Sequence, residues 1–385
     1  MGQKHLLKIG LLYGGRSGEH EISLISARSI ASHLDPNKYE VIPIGISKEG
    51  VWKSASLSSL LTQNSKSLLI PSNQKEVFLR SEKLGSGKSL LVELGNQKKV
   101  SDIEVIFPVL HGPLGEDGTI QGYFEMLETP YVGSGVLGSS VGMDKEVSKL
   151  LVQMAGGRVV PYLTVHRSEF DFELPLFSRL RQEIEKKFGF PVFVKPANMG
   201  SSVGVHKVRS KEELEGALKD AFQYDTKILI EKAISAREIE LAVLSDPRQR
   251  DLVVSPPGEI KPNSQHEFYS YESKYIDEKG AEFSIPALMN DQEKKVCQDL
   301  AKLVFRALQA FGLARIDLFM DKENREIYFN EINTMPGFTQ ISMYPKLMES
   351  QGYPYEALLD TLIQEALSRY EAKKSLLHEF RQAPV

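Results

Sequence analysis

Asp317, Glu331 and Asn333, with Arg315 beside them, are the residues of this chain on which chemistry is most readily built. They lie in 313–337, LARIDLFMDKENREIYFNEINTMPG. Two alternating runs, 315–320 and 327–333, flank a polar turn at 321–326, the pattern of an antiparallel hairpin. Pairing symmetric about Asn324 sets Asp317 opposite Glu331, Arg315 opposite Asn333 and Phe319 opposite Phe329, all on one face. Ile316, Leu318, Met320, Tyr328 and Ile332 then form the core face. Facing carboxylates repel unless a cation or a shared proton compensates. Asp, Glu and Asn offer only oxygen, which suits magnesium far better than zinc. A solvated hairpin end explains the same acidic pattern, and the rest of the chain must decide between them.

The second chemical stretch is 195–205, KPANMGSSVGV, between strand-like PVFVK and VGVHKV. A lysine at a strand end followed by small residues at a hairpin tip is what a flap over polyphosphate needs: mobile backbone amides and a cation. A structural turn explains the glycines but not the lysine together with Ser201 and Ser202. Strand 227–232 ends at Glu231, and 237–243 alternates through Glu238. A strand end can read an adenine edge and a nearby carboxylate can hold ribose hydroxyls, although taken alone these glutamates are ordinary surface charges. Gly85-Ser86-Gly87-Lys88-Ser89 imitates a phosphate loop, but Glu82 stands where the first glycine belongs and no buried strand is expected before it. It is rejected.

These residues need elements to position them. KIGLLY (8–13), the loop GGRSGEHEIS and a helical period through Leu34, then a strand at 40–46, make a βαβ unit with a right-handed crossover. The glycines let backbone amides approach a ligand at the helix start, and a plain tight turn explains them equally. A strand at 104–110 runs into the glycine-rich HGPLGEDGTIQG before another helix. Helices are expected at 144–155 and 178–188 and a strand at 190–195. Residues 53–101 read as variable surface structure, 255–283 as an aperiodic lid, and 367–385 as a charged tail.

At 385 residues the chain exceeds one ordinary core. Net charge −4 with 41% apolar residues describes a globular chain without a polybasic footprint, so nucleic acid and membrane surfaces are poor partners. The single cysteine, Cys297, excludes an intrachain disulfide and sits among helix formers as a packing residue. The start MGQKHLLKIG has no secretory apolar region, Leu6 stands where myristoylation needs Ser or Thr, and no apolar run is long enough to span a bilayer. The expected location is the cytoplasm.

Together GGRSGEHEIS, HGPLGEDGTIQG, GMDKEVSK, VKPANMGSSVGV, IEKAISAREIELAV, YESKY, ARIDLFM and NEINTMPGFTQISMYP resemble the ATP-grasp superfamily, and within it the D-alanine:D-alanine ligase family, in order and spacing over nearly the full length. The resemblance implies an α/β fold, α+β in the ATP-binding part, with three-domain ATP-grasp architecture. An N-terminal parallel-sheet domain, 1–133, precedes a central subdomain, 134–230, bearing the glycine/serine flap. The C-terminal subdomain, 231–385, carries lid loop 255–283 and hairpin 313–337.

The resemblance also implies roles. Asp317, Glu331 and Asn333 would hold two Mg2+ ions, or Mn2+ instead. Lys145, Lys195 and Lys274 would hold ATP phosphates. Glu231, Lys232, Ala233 and Ile234 would form the adenine hinge, and Glu238 would take the ribose. Glu19 would anchor the first D-alanine, and Glu19, Ser201 and Tyr275 would close lid on flap. Arg315 and the Gly337 amide would stabilise the oxyanion. Ser342, helped by Lys274, would bind the second carboxylate near His111. The implied product is D-alanyl-D-alanine for peptidoglycan precursors, made by a homodimer. An ATP-dependent carboxylase or purine-pathway ligase would not carry HEIS and YESKY together, and a nucleotide-binding regulator would not need the metal and oxyanion groups.

Overall fold

Parallel strands need buried faces and crossover helices, and the N-terminal apolar runs supply both. In the computed structural model, which describes residues 5–62, 69–83, 85–170, 176–262 and 281–377, strand Leu7–Gly14 pairs in parallel with Tyr39–Ile46 on one side and Val105–Val109 on the other. Helix His20–His33 makes the first crossover. Trp52–Ser54 adds an antiparallel edge.

Within 53–101 the described residues form more regular structure than their composition suggests. Val77–Ser81, Ser89–Glu93 and Lys99–Ile103 form an antiparallel meander. Its Val77, Leu79, Leu91 and Ile103 pack with Leu12, Ile44 and Phe124. The rejected phosphate-loop imitation is a turn of this meander, with Gly85 at φ 78° and Gly87 at φ 72°. A strand does precede it, contrary to expectation, but an antiparallel strand follows rather than a helix, and Lys88 pairs with Glu104 at 2.9 Å.

A second, antiparallel sheet runs in the order His206–Val208, Val192–Pro196, Lys227–Lys232, Tyr162–His166. It buries Val194, Ile228 and Ile230 against helices Leu176–Lys187 and Leu214–Ala221. The third sheet orders Ala281–Ser284, Gly258–Pro262, Ala236–Leu244, Leu313–Asp321 and Ile327–Asn333, with Val253–Val254 joining Ala236–Leu244. Helix Asp291–Ala307, opened by a capping box between Asn290 and Glu293, covers one face. Its buried Cys297 packs with Ile316, Leu318 and Ile332, and burial pushes the thiol up to about 12, as befits a packing residue. At the two ends of the expected lid, 255–283, the chain pairs as strands from Glu259↔Ser284 to Pro262↔Ala281. Residues 263–280, with Lys274 and Tyr275, lie outside the described residues.

Of the expected charged tail, 367–377 is described and 378–385 lies outside the described residues. Helix Tyr355–Lys374 carries the chain to 374 and ties the third sheet's layer to the N-terminal one. Arg369 donates to the carbonyls of Gly133 and Tyr131, both at 2.6 Å, and stacks on Tyr131 and Phe311. Charge-assisted hydrogen bonds of this kind contribute about 2 kcal/mol, so Arg369→Ala is expected to lower the thermal midpoint. An unchanged midpoint would mean that this contact does not hold the layers together.

Candidate functional site

The hairpin register decides what faces what. Arg315↔Asn333 and Asp317↔Glu331 pair as the spacing requires, but a bulge follows, so that Leu318 pairs with Phe329 and Phe319 with Tyr328. Asn330 is the extra residue. The expected pairing of Phe319 with Phe329 is therefore corrected: Phe329 turns into the core, fully buried, while Tyr328 leaves it and donates to Glu326. One inserted residue exchanges the faces beyond it. Asn330 itself accepts from Lys195 Nζ at 3.3 Å.

A cleft of about 550 Å3 lies between the second and third sheets, lined by Lys145, Lys195, Glu231, Lys232, Ala233, Ile234, Glu238, Asp317 and Glu331, with Glu240 and Asn330. Every described residue of the expected nucleotide set is here. Lys145 opens helix Lys145–Met154, whose N-cap Asp144 accepts from the amides of Glu146 and Val147. Its Nζ donates to the Met199 carbonyl at 2.7 Å and stands 3.3 Å from Glu331. Lys195 Nζ sits 2.6 Å from Glu231.

Lys149, one helical turn beyond Lys145, was not singled out in the sequence. It is fully buried, 3.1 Å from the other oxygen of Glu231. Its spacing of four from Lys145 was the available signal. Burial pushes Lys149 down to about 8, with Glu231 limiting the fall. Burial likewise works against the Glu231 carboxylate, but the two lysines outweigh it and hold the group below its usual range.

Glycine and serine conformations shape the flap. A Cβ on Gly200 would stand 3.0 Å from a Glu19 carboxylate oxygen, so a larger residue there would make that carboxylate shift. Ser201 and Ser202 both adopt left-handed backbone, φ 51° and 60°, which costs about 1–3 kcal/mol each. Ser201 Oγ donates to Glu19 Oε1. Two members of the expected trio therefore meet; Tyr275, like Lys274, lies outside the described residues.

Arg315 leads from this cleft to the remaining candidates. It grips Asp317 with two hydrogen bonds, Nε to Oδ1 and Nη2 to Oδ2, both 2.7 Å. Burial alone would lower the guanidinium, but Asp317 and Glu240 hold it well above its ordinary value. Burial, aided by Arg315, lowers the His111 pKa against the opposing pull of Glu19 and the Met335 carbonyl, and the ring is neutral. Its Nδ1 faces the Met335 carbonyl at 2.9 Å and must donate there, which makes Nε2 an acceptor, buried and without a hydrogen-bond partner among the described residues. Ser342 stands at the N-cap position of helix Met343–Ser350 without capping it by its side chain; its Oγ accepts from the Thr339 amide, and a Cβ on Gly337 would lie 3.4 Å from that Oγ.

Glu116 also went unrecognised, although it stands inside HGPLGEDG. Its carboxyl accepts from the Gly112 amide at 2.7 Å and the Met335 amide at 3.1 Å, joining the 111–117 loop to the turn that carries Gly337. Close packing and the nearby Glu19 push it up to about 8. Because this value exceeds the unfolded one, the stability it contributes is full below the ordinary carboxyl range. It is lost as pH rises through about 8. The thermal midpoint of Glu116→Gln relative to the parent is therefore expected to climb from pH 5 to pH 8; parallel profiles would contradict this.

Asp317, Glu331 and Asn333 suit a hard cation by donor chemistry: two facing carboxylates and an amide, all oxygen. Asn333 Nδ2 donates to Asp317 Oδ2 at 3.0 Å, and Arg315 and Lys145 neutralise the two carboxylates. Among the described residues no group of three or more His, Cys, Asp or Glu is placed to hold a metal. A cation here must draw further oxygens from a substrate, which is how magnesium is usually held beside phosphates.

Comparison with known proteins follows the same lines. Residues 8–134 match the family described as D-ala D-ala ligase N-terminus, and residues 151–364 the D-ala D-ala ligase C-terminus. The chain is 47% identical over 370 residues to D-alanine–D-alanine ligase A of Bradyrhizobium diazoefficiens, covering 96% of this chain and 97% of that one. It is 47% identical over 375 residues to the D-alanine–D-alanine ligase of Caldicellulosiruptor bescii, covering 96% and 98%. Among solved structures, the D-alanine–D-alanine ligase from Coxiella burnetii aligns with a TM-score of 0.81 at 33% identity, covering 96% and 97%. A D-Ala:D-Ser ligase from Enterococcus faecalis aligns at 0.79 and 34%, covering 94% and 100%.

Proposed function

On the premise that this chain belongs to the D-alanine–D-alanine ligase family and joins two D-alanines in an ATP-dependent reaction, we propose how its residues divide that work. The observation that carries the division is the single cleft in which Lys145, Lys195, the 231–234 strand end, Glu238, Asp317 and Glu331 converge. The backbone of Glu231, Lys232, Ala233 and Ile234 reads the adenine edge, and Glu238 takes the ribose hydroxyls. Lys145 and Lys195 hold phosphates, joined by Lys274. Asp317, Glu331 and Asn333 hold two Mg2+ ions, or Mn2+. When bound, such cations neutralise the phosphate oxygens around the transferred group.

A carboxylate is a poor electrophile, so the first D-alanine must be activated. Its carboxylate oxygen attacks the γ-phosphorus, the bond to ADP breaks, and D-alanyl phosphate forms. Glu19 holds the ammonium of that substrate. The amine of the second D-alanine then attacks the acyl carbon, and phosphate leaves with the bridging oxygen. Arg315 and the Gly337 amide are preorganised donors for the charge that develops on the acyl oxygen. Ser342 and Lys274 hold the second carboxylate, and His111 Nε2 accepts from the second amine. Closure of Tyr275 over Glu19 and Ser201 excludes water, which would otherwise hydrolyse the acyl phosphate.

The parts correspond to a substrate-binding domain at 1–133, a flap-bearing subdomain at 134–230 and a metal-bearing subdomain at 231–385. No helix among the described residues is long and apolar enough to cross a membrane. The dipeptide serves peptidoglycan precursor synthesis, and we place the enzyme in the cytoplasm, where ATP is available, as a homodimer. The functional test is ADP release in the presence of magnesium. Release is expected to require D-alanine and to match D-alanyl-D-alanine formed; release indifferent to D-alanine would overturn the proposal.

A further inference from the structure

Glu240, on strand Ala236–Leu244 beside the hairpin in the same sheet, is in register with Asp317, which is in turn in register with Glu331. Three carboxylates thus cross three neighbouring strands in one row. Glu240 is 4% exposed, and its Oε2 stands 3.2 Å from Arg315 Nε. Nε has one hydrogen, and that hydrogen goes to Asp317 Oδ1 at 2.7 Å. Glu240 therefore touches the guanidinium as a second anion while Asp317 takes the bidentate grip.

That grip conflicts with the role proposed for Asp317. Its two oxygens accept from Arg315 Nε, Arg315 Nη2 and Asn333 Nδ2. Of these bonds Oδ1 accepts one and Oδ2 two, so a divalent cation can reach a remaining lone pair, but it draws on the same carboxylate charge and repels Arg315; the grip weakens, and a buried guanidinium that loses its partner is strongly destabilised. Glu240 is the anion already in contact. Nor is it a third ligand, since no three acidic, histidine or cysteine groups converge on a metal position among the described residues.

We propose that Glu240 is a positioning residue that takes over the Arg315 guanidinium when Asp317 turns to the metal, so that one residue can be an oxyanion donor and its neighbour a metal ligand at once. The proposal rests on the assignments of Arg315 and Asp317 made above. Glu240 competes with Asp317 for Arg315, so removing its charge leaves Arg315 bound more tightly to Asp317 and weakens metal binding at a distance.

The test is a double-mutant cycle on the full chain, titrated with Mn2+ at a fixed saturating concentration of a non-hydrolysable ATP analogue and followed by the electron paramagnetic resonance of free Mn2+, with the protein-free analogue as the baseline. Glu240→Gln is expected to weaken Mn2+ binding roughly tenfold. In an Arg315→Met background, where there is nothing to compete for, Glu240→Gln should change affinity less than about twofold. Equal losses in both backgrounds would overturn the proposal, because Glu240 would then act as a ligand or as bare charge; no loss in either would overturn it too. Glu240→Asp, which keeps the charge but draws it back, should fall between parent and Glu240→Gln and guards against a folding defect. Asp317→Asn tests the premise separately. If it binds Mn2+ like the parent, the metal assignment fails; if it binds weakly while Glu240→Gln does not, only the role of Glu240 fails. In turnover at saturating Mg2+ and ATP, Glu240→Gln should still lower kcat, as expected of a residue that orients Arg315.

Discussion

Glu231→Gln is expected to destabilise the protein by about 3–5 kcal/mol, the usual cost of removing one partner from a buried ion pair. The substitution leaves Lys149, fully buried, and Lys195 side by side with no anion between them. The loss is read as a fall in the thermal midpoint. Adding Lys149→Met to the variant should restore much of it, since burial already disfavours that cation. A midpoint unaffected by Glu231→Gln would mean that the lysine–glutamate–lysine cluster does not organise the cleft floor.

The largest effect on turnover is expected from Glu331→Gln. The substitution keeps side-chain shape but replaces one acceptor oxygen by a donor NH2 and removes the charge that faces Asp317 and pairs with Lys145. Metal-assisted charge stabilisation contributes several kcal/mol to phosphoryl transfer, so kcat should fall on the order of 10³-fold, with a matching rise in the magnesium concentration required. A rate within about tenfold of the parent would show that the hairpin does not hold the metal.

How much of this was legible in the chain follows from the kind of signal each feature leaves. The hairpin and the pairing of Asp317 with Glu331 were written in alternation around a polar turn. The bulge at Asn330 was not, because Tyr328 and Phe329 are both aromatic and either satisfies the core side. The meander in 53–101 escaped because its strands are only five residues long and its apolar face is discontinuous. Lys149 and Glu240 were passed over for a common reason. A lysine one turn after another on a helix, and a glutamate two residues after another on a strand, read as solvated charges unless their partners are known. Those partners, Glu231 and Arg315, come from other elements, 82 and 75 positions away by residue number. The charged residues beyond 367 likewise read as a tail because nothing local reveals that Arg369 reaches the carbonyls of Tyr131 and Gly133.

The most direct test of the proposed chemistry follows one oxygen atom. With D-alanine labelled by 18O at both carboxylate oxygens, attack on the γ-phosphorus makes one labelled oxygen the bridge of D-alanyl phosphate. Attack by the second amine expels that oxygen with phosphate and leaves the other in the peptide carbonyl. Mass spectrometry of the released phosphate is expected to find one 18O per molecule formed with D-alanyl-D-alanine. Phosphate without label, released as the dipeptide forms, would contradict activation of D-alanine by phosphoryl transfer in this cleft.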